Sequence, residues 1–326
     1  MHQSSDIPEI YDLVDMNNIH IHDPNLSFFV CGGPEDVKST SCISYRDAFL
    51  KTLHKSKHKD AHILIAEQLK PHFPNGNYED LLSFEIEIAS ISKLVVLFCE
   101  SFGSATELGT FSSNDAIADR LLIFVDDINH SDNSYIKLGP FRSLVRKYSE
   151  SHICVMQTND LNTPINNHVA DLTNLDQKEF VIMVDSAINR RLPQVDKLFE
   201  RSSFNPQKVG HVIRLICGLI QFYGALTIHE IQLLLEEFKV EENFVNRASD
   251  LSLCAQMVGW IDQVRGPGEN YYVPKLEKKA VSFPFKKGAT FSHTQIQPLI
   301  RDHYKKADNE RFRIIAKAEA EISSYE

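Results

Sequence analysis

Short apolar runs, separated by amphipathic stretches, divide roughly the first half of the chain. The runs are LSFFVC (26–31), HILIAEQ (62–68), KLVVLFC (93–99), RLLIFVD (120–126) and SHICVMQ (151–157). Continuous apolar runs of this length are typical of strands covered on both faces. The intervening stretches, such as YRDAFLKTLHK and YEDLLSFEIEIASIS, carry apolar residues near helical spacing. The alternation predicts an α/β fold with a parallel, Rossmann-like sheet, in which ligands bind at the carboxyl ends of the strands.

After Asp185 the pattern becomes mostly helical. PQKVGHVIRLICGLIQFYG predicts a buried helix, Thr227 and Glu230 at capping-box spacing predict the start of a second helix, and ENFVNRASDLSLCAQMVGW predicts a third. Two β-like runs around Gly266-Pro267-Gly268 then predict a hairpin. Three helices followed by a hairpin is the order of a winged helix. We therefore expect an α/β domain over residues 1–200 and a mostly helical, winged-helix-like domain with a basic tail over residues 201–326.

Composition is that of a soluble globular protein, with 43% hydrophobic and 24% charged residues among 326. The first residues lack an apolar signal region, and the longest apolar stretch, 212–228, is interrupted by Arg214 and Gln221. We expect a cytoplasmic protein without a membrane segment. The six cysteines are scattered and form no C-x-x-C pair, which predicts buried thiols rather than zinc ligands or disulfides.

Charge is distributed unevenly along the chain. Residues 1–200 contain 17 basic and 29 acidic residues, giving −12, whereas residues 201–326 contain 17 and 15, giving +2. Contact with nucleic acid is therefore expected in the C-terminal part. The candidate surface is the basic tail, which holds five lysines: Lys275, Lys278, Lys279, Lys286 and Lys287. Winged helices also bind proteins, so nucleic acid and a protein partner both remain open.

The stretch CESFGSATELGTF (99–111) follows the third apolar run and has two interpretations. Ser104 and Glu107 fit the capping-box pattern, in which both side chains serve only backbone N–H groups. That pattern leaves Glu100 and Gly103 unexplained. Carboxylates at the edge of a sheet also suit chemistry at a carbon that develops positive charge, such as a glycosidic carbon. Residue types alone leave both interpretations open.

Other candidates near the strand ends are weaker. Gly32 and Gly33 either let the backbone approach a ligand or turn the chain. Arg46 is able to bind a phosphate or carboxylate with two hydrogen bonds, although a surface arginine is the simpler interpretation. The sequence has no Walker A loop, no G-x-G-x-x-G, no zincin helix and no G-x-S-x-G elbow, and we expect no metal site.

ESFGSATELG resembles the signature of nucleoside 2-deoxyribosyltransferases, an acidic residue followed by Gly-Ser/Thr-x-x-Glu-x-Gly after a central strand. With FFVCGG, YRDAFLKTL, ILIAEQL and YIKLGPFRSLV, the series is similar to effector proteins of retron anti-phage systems. Those effectors couple a deoxyribosyltransferase-like domain to a winged helix. The resemblance covers residues 26–150 well and the C-terminal part by architecture only. Free-standing transferases often have Asp where this chain has Glu100, so their base-recognition roles are not carried over to that position.

The resemblance implies a deoxyribosyltransferase-type fold in which Glu107 attacks the anomeric carbon of a sugar. It further implies N-glycosidic cleavage with NAD as the favoured substrate, no separate cofactor, and restraint by a reverse transcriptase and its branched RNA–DNA product. A homo-oligomer is compatible with it, because related transferases complete their sites across subunits. Candidate substrate-binding residues are Gly32, Gly33, Arg46, Glu67, Glu100, Ser101, Gly103 and Ser104.

Two other functions remain open. A nucleotide-sensing adaptor or regulator that binds nucleic acid without catalysis would use the same winged helix and lysines. A nucleotide-monophosphate phosphoribohydrolase is less favoured, because its usual Pro-Gly-Gly-x-Gly-Thr run is missing.

Overall fold

The computed structural model describes residues 7–8, 11–167, 169–199, 202–289 and 293–323. Contacts divide the chain into two compact units. The sheet unit comprises Leu26–Lys70 and Ile88–Leu198, and the helical unit comprises Met1–Asn25, Pro71–Glu87 and Phe199–Glu326. The boundary expected at 200/201 lies outside the described residues. The assignment of separate activities to residues 1–200 and 201–326 stays a prediction.

The strands of the two units follow the chain in short segments. They are β1 (His20–Ile21), β2 (Ser27–Cys31), β3 (His62–Ile65), β4 (Leu94–Phe98), β5 (Leu121–Asp126), β6 (Ile153–Met156), β7 (Ile165–Asn166), β8 (Val169–Ala170), β9 (Ile261–Arg265), β10 (Asn270–Pro274) and β11 (Val281–Ser282).

Helices alternate with these strands and continue to the C-terminal part. They are α1 (Tyr45–Thr52), α2 (Ala66–Leu69), α3 (Leu81–Ile91), α4 (Phe102–Ser113), α5 (Asp115–Ala118), α6 (Asp127–Ser131), α7 (Arg142–Lys147), α8 (Thr158–Leu161), α9 (Gln177–Phe199), α10 (Val209–Tyr223), α11 (Ile228–Glu237), α12 (Glu242–Asn246), α13 (Ala248–Met257), α14 (His293–Ala307) and α15 (Asn309–Ser323). In the parts of the chain that the structure describes, no helix combines the length and apolar character needed to span a bilayer.

The sheet unit is built on five parallel strands in the order β3-β2-β4-β5-β6, with β4 in the middle. Every residue of β2, β4 and β5 is buried, because helices cover both faces of the sheet. The five apolar runs therefore form the sheet that their pattern predicts, and the α/β fold class is confirmed. All five strands end at one edge, which brings residues 32–33, 66–67, 99–101 and 126–129 to the same side.

The helical unit contains the predicted helices and hairpin, with one difference in the third helix. α10 and α11 begin as expected, and the Thr227–Glu230 capping box is present. The expected third helix is broken at Arg247 (φ −100°) into α12 and α13. β9 and β10 pair as the expected hairpin, and Leu226 bridges to Tyr272 at its side.

The lysine-rich stretch is not a tail, contrary to expectation. Its β11 pairs with β1 through Ile21 and Val281, and α14 and α15 follow it. Cross-strand bonds to a segment near the start of the chain fix a stretch that composition alone describes as a basic run. Five of the six cysteines are buried and Cys42 is half-buried, all as free thiols, which confirms the expectation of buried thiols for those five.

The start of α4 corrects the predicted capping box. Ser101 is the N-cap residue, with an extended backbone (φ −145°, ψ 165°), and its Oγ accepts the Ser104 N–H at 3.1 Å. Ser104 Oγ in turn accepts the Ser101 N–H at 2.9 Å. The helix thus begins three residues earlier than the Ser104–Glu107 pattern predicts, and Glu107 lies in the second turn. Its carboxylate takes no part in the capping box.

This register predicts which serine stabilises α4. Ser101→Ala should lower the free energy of unfolding by about 1 kcal/mol, because an N–H at the helix start loses its acceptor. Ser113→Ala, at the far end of the same helix, is the matched control and should have a smaller effect, as should Glu107→Gln. Urea unfolding measures all three. A larger cost for Glu107→Gln than for Ser101→Ala would support the Ser104–Glu107 box instead.

A buried histidine supports the last strand of the sheet. His152 precedes β6, and its Nδ1 lies 3.1 Å from the carbonyl oxygen of Ser149. Arg191 of α9 donates from a guanidinium nitrogen to His152 Nε2 at 2.8 Å, which requires that Nε2 carries no proton. Burial, together with the charge of Arg191, lowers the pKa of His152 to about 4. The folded protein therefore holds this imidazole neutral, with its proton on Nδ1.

Stability should consequently fall in mild acid. Between pH about 6.5 and about 4 the unfolded chain binds a proton at His152 that the folded chain does not, so lowering the pH through this window favours unfolding. The full effect is on the order of 3 kcal/mol. Urea unfolding across this range should show a weaker pH dependence for His152→Gln than for the wild type. Identical pH dependence in the two proteins would contradict the assignment.

Candidate functional site

One carboxylate joins three elements at the carboxyl edge of the sheet. Glu100 follows β4, and its Oε1 accepts the N–H groups of Gly33 and Arg46, each at 3.0 Å. Its Oε2 accepts the Tyr45 N–H at 2.6 Å. The loop after β2 and the first turn of α1 are thereby bound to the end of β4.

Two opposing effects act on the pKa of Glu100. Burial raises the pKa of this carboxyl group, whereas the N–H bonds from Arg46, Tyr45 and Gly33 oppose that rise. The carboxylate also lies at the N-terminus of α1, where the helix dipole favours negative charge. Two of its partners are helix N–H groups that have no acceptor within the helix itself. Glu100 therefore satisfies backbone donors as well as bordering the space beyond β4.

Contacts within the protein already require the paired glycines. A Cβ at Gly32 would lie 2.9 Å from the Cβ atoms of both Arg46 and Phe98. One at Gly33 would lie 2.8 Å from Ser44 Cβ and 3.0 Å from Glu100 Oε1. The close approach that these glycines permit is an approach of α1 and Glu100 to the β2 loop. A contact of either glycine with substrate stays a prediction.

Arg46 is not the surface residue of the simpler interpretation. Its side chain is 1% exposed and forms an ion pair with Glu67 of α2, whose side chain is 43% exposed. The structure therefore brings together five predicted residues from the ends of β2, β3 and β4 and from the first turn of α1: Gly32, Gly33, Glu67, Glu100 and Arg46.

The remaining predicted residues lie on the first turns of α4. Ser101 and Ser104 cap the helix, as described above. Gly103 is exposed, and a Cβ there would meet only Ser101 Oγ, at 3.8 Å, so packing does not demand glycine at this position. Glu107 is half-buried, and its Oε2 is shielded from solvent.

A cavity of about 530 Å³ opens at the ends of β4 and β5 within the sheet unit. Its walls come from the β4–α4 junction, the end of β5, residues 129–136 in and after α6, and the β7–β8 hairpin. The lining residues are Cys99, Glu100, Ser101, Phe102, Ala105, Val125, Asn129, Asp132, Ser134, Ile136, Asn167 and Val169. Of the predicted residues, Glu100 and Ser101 line it, while Gly32, Gly33, Arg46, Glu67, Gly103, Ser104 and Glu107 are not among the lining residues.

Several polar groups at this edge were missed by sequence reasoning. Asp126 ends β5 and accepts the Asn129 N–H at 2.7 Å and the Asn129 side-chain amide at 2.6 Å. This pair orients Asn129 at the cavity, beside Asp132. Two consecutive aspartates after a buried apolar run, Asp126 and Asp127, were the available signal, because parallel strands end at a common edge. Asn167, with φ 51° at the hairpin turn, had no such signal.

The rim of the cavity is apolar. Phe102, at the start of α4, is 99% exposed, and Val169 of the hairpin is also exposed.

Burial raises the pKa of Cys99 to about 12, with the charges of Asp126 and Glu100 adding to the rise, so this thiol is no nucleophile at neutral pH. Among the described residues no group of three or more His, Cys, Asp or Glu side chains is placed to hold a metal ion. The arrangement suits an organic ligand held by a few polar groups.

The predicted lysine surface lies on the helical unit. Lys275, Lys278, Lys279, Lys286 and Lys287 are all exposed. Lys275 forms a long ion pair with Asp262 (3.7 Å), and Lys286 Nζ donates to the Asp12 carbonyl oxygen at 2.6 Å.

Comparison with known proteins identifies the family to which this chain belongs. Proteins of Escherichia coli retrons Ec86 and Ec73, whose names carry the terms ribosyltransferase and DNA-binding protein, are 34% identical over 137 residues and 22% identical over 217 residues. The first alignment covers 42% of each protein, and the second covers 61% of this chain and 64% of the relative, so the chain spans less than two thirds of either relative. The model of the STM3845 retron effector protein family matches residues 42–263, more than half of the 326 residues. The chain therefore belongs to the STM3845 retron effector family.

Proposed function

We propose that this retron effector is an N-glycosidase-type toxin that cleaves the N-glycosidic bond of a nucleotide, with NAD as the favoured substrate. One observation carries the proposal: the Gly-Ser-x-x-Glu-x-Gly stretch begins a helix at the carboxyl end of the central strand, beside a cavity of about 530 Å³. Cavities of this size hold nucleotide-sized ligands. The ribosyltransferase term in the names of both relatives supports the same class of chemistry.

In the proposed reaction, Glu107 acts on the anomeric carbon of the ribose. The bond from C1′ to the nicotinamide nitrogen breaks, and its electron pair neutralises the pyridinium. The Glu107 carboxylate either bonds to C1′ or stabilises the cation that develops there. Water then supplies the oxygen that replaces nicotinamide, and a proton is released. The capping by Ser101 and Ser104 supports this role, because it leaves the Glu107 carboxylate out of the capping box.

The substrate contacts follow the cavity. Phe102 at the rim offers a surface for stacking a planar base, and Asn129 and Asp132 offer polar contacts. Gly103 and Ser104, at the start of α4, are proposed to position the sugar or phosphate, and Ser101 is a further proposed substrate contact. Glu100, Arg46, Glu67, Gly32 and Gly33 position this edge of the sheet, and any direct contact with substrate is proposed for Glu100 first, because it lines the cavity.

Regulation is proposed from family membership. The effector is held inactive by its reverse transcriptase and the branched RNA–DNA product, and the lysine surface of the helical unit is the proposed contact. The DNA-binding term in the names of the relatives supports a nucleic-acid contact. The winged-helix-like order of α10 to β10 supports the same assignment.

The second candidate function is a nucleotide-sensing adaptor without catalysis. The position of Glu107 favours it, because this residue is not among those that line the cavity. In that case the cavity binds a nucleotide and the lysine surface binds nucleic acid or a ribonucleoprotein.

The catalytic role of Glu107 predicts a large loss of activity on removal of its charge. Glu107→Gln should reduce nicotinamide release from NAD by at least about 100-fold, as deletion of a catalytic group commonly does. The assay uses the purified full chain, alone and with its reverse-transcriptase ribonucleoprotein. Glu179→Gln, an exposed glutamate on α9 of the same unit, is the matched control and should keep full activity.

Two outcomes would revise this proposal. A folded Glu107→Gln protein with full activity would remove the residue from the mechanism. Absence of release in every combination, with deoxynucleosides and nucleic acid also left intact, would favour the adaptor.

The cavity assignment predicts a steric effect at α4. Ala105→Leu places a larger side chain in the cavity and should raise the KM for NAD or abolish turnover, while the free energy of unfolding changes little. Thr106→Leu, the exposed neighbour that does not line the cavity, should leave activity unchanged. Equal kinetics for Ala105→Leu and the wild type would show that substrate binds elsewhere.

A further inference from the structure

Within the helical unit, residues 76–78 cover one face of α13. In a winged helix, the helix at this position in the order is the one that enters the DNA groove. The Asn77 N–H donates to Asp250 Oδ1 at 2.9 Å. The Tyr78 hydroxyl lies 3.0 Å from Cys254 Sγ and 3.3 Å from the Asp250 carbonyl oxygen. Residues 76–78 therefore occupy the face that Asp250 and Cys254 share, one helical turn apart.

A second face of α13 is packed into the unit itself. Ala248, Leu251, Ser252 and Ala255 are fully buried. A helix that reads base pairs must present three or four side chains to the major groove. With both sets of positions taken, the accessible side chains of α13 are the exposed Ser249 and the half-buried Leu253, Gln256 and Met257. None of these is basic, so α13 lacks the arginine or lysine that makes the commonest base contact.

The one basic residue in the sequence from Glu242 to Met257 is also engaged. A guanidinium nitrogen of Arg247 lies 2.8 Å from Glu87 Oε1, and the guanidinium stacks over the Tyr78 ring with its carbon 5.2 Å from the centroid. Glu87 Oε2 in turn accepts from the Tyr78 hydroxyl at 2.5 Å. The positive charge of Arg247, which a phosphate contact would require, is thus already paired with Glu87 and stacked on Tyr78.

Negative charge borders the same helices. Glu236 and Glu237 end α11, and Glu241 and Glu242 begin α12, all exposed. DNA carries one negative charge for each phosphate, so these carboxylates, partly offset by the exposed Lys239 between them, oppose the approach of a duplex to this segment.

The lysine-rich stretch has the opposite character and a fixed backbone. The side-chain amide of Gln221, on α10, donates to the carbonyl oxygens of Leu276 (3.0 Å) and Lys278 (2.9 Å), and its oxygen accepts the Ala280 N–H at 2.9 Å. Gly218 lets β11 lie against α10, since a Cβ there would come within 2.7 Å of Val281. Lysine side chains therefore extend from an ordered support.

A histidine borders this basic surface. His22 lies beside β11, where its Nε2 is 2.8 Å from Ser282 Oγ. Burial lowers the pKa of His22, and the charges of His20 and Lys278 lower it further, so His22 is neutral at pH 7 and adds no charge to this surface. The exposed charge of this surface is predominantly positive, with Glu277 as the acidic member of the stretch.

We propose that the helical unit binds the sugar-phosphate backbone of nucleic acid through the lysine stretch 275–287, without base reading by α13 and without sequence preference. The inference rests on the nucleic-acid role proposed above and specifies how that role is carried out. Phosphate contacts made by lysines are sequence-independent and depend steeply on salt.

The test is fluorescence anisotropy with the full chain and fluorescein-labelled DNA duplexes of about 20 base pairs in two unrelated sequences, at about 50 mM KCl and above. Lys278→Ala/Lys279→Ala and Lys286→Ala/Lys287→Ala should each weaken binding about 10-fold and reduce the slope of log affinity against log salt by about 2. Lys305→Ala/Lys306→Ala on α14 removes the same charge elsewhere in the unit and should change affinity less than about twofold.

Alanine at two residues of base-reading type tests the helices directly. Asn246→Ala and Gln256→Ala, at the end of α12 and on α13, should leave affinity within about twofold and the two duplexes equivalent. Loss of affinity in these variants but not in the lysine pairs, or a preference above about 100-fold for one duplex, would overturn the inference, as would absence of wild-type binding at low salt. Nicotinamide release is measured on the same preparations, so failure here with intact NAD cleavage refutes the nucleic-acid surface alone.

Discussion

The contact on which the edge of the sheet depends is the one between the Glu100 carboxylate and three backbone N–H groups. A buried charge is costly unless hydrogen bonds replace its hydration, and bonds from Gly33, Tyr45 and Arg46 do so at 2.6–3.0 Å. Each bond also fixes a separate element to the end of β4. Because α1 and the β2 loop approach Glu100 this closely, Gly33 has no space for a side chain, and Arg46 is drawn inward to pair with Glu67.

The residue after Glu100 determines how the neighbouring helix presents its side chains. Ser101 and Ser104 satisfy each other's N–H groups, and the helix register follows from that exchange. A start three residues later would have committed Glu107 to capping. The observed register leaves its carboxylate in the second turn, outside the capping box. Local capping chemistry thus decides which side chains serve the helix start.

The sheet was predictable from the sequence because residues buried on both faces form uninterrupted apolar runs, as in β2, β4 and β5. The α11 start was predictable for a local reason too, since Thr227 and Glu230 bond reciprocally within one turn. At α4 two capping patterns overlap, and only three-dimensional structure separates Ser101–Ser104 from Ser104–Glu107. The cavity walls at Asn129 and Asn167 lie far from α4 in the sequence, and no periodic pattern signals such convergence.

The distribution of charge assigns the two proposed activities to different parts of the protein. The cavity is bordered by the carboxylates of Glu100 and Asp132, with Asp126 close by, so it is unfavourable for a polyanion. A nucleotide whose reacting base carries positive charge is better suited to such surroundings, and the nicotinamide ring of NAD is cationic until its glycosidic bond breaks. The acidic edge would stabilise the cationic ring in the ground state. Catalysis therefore requires that the Glu107 carboxylate stabilise the transition state more strongly, as the positive charge moves from the ring to the ribose. Nucleic acid, by the same electrostatic reasoning, belongs with the lysines of the helical unit.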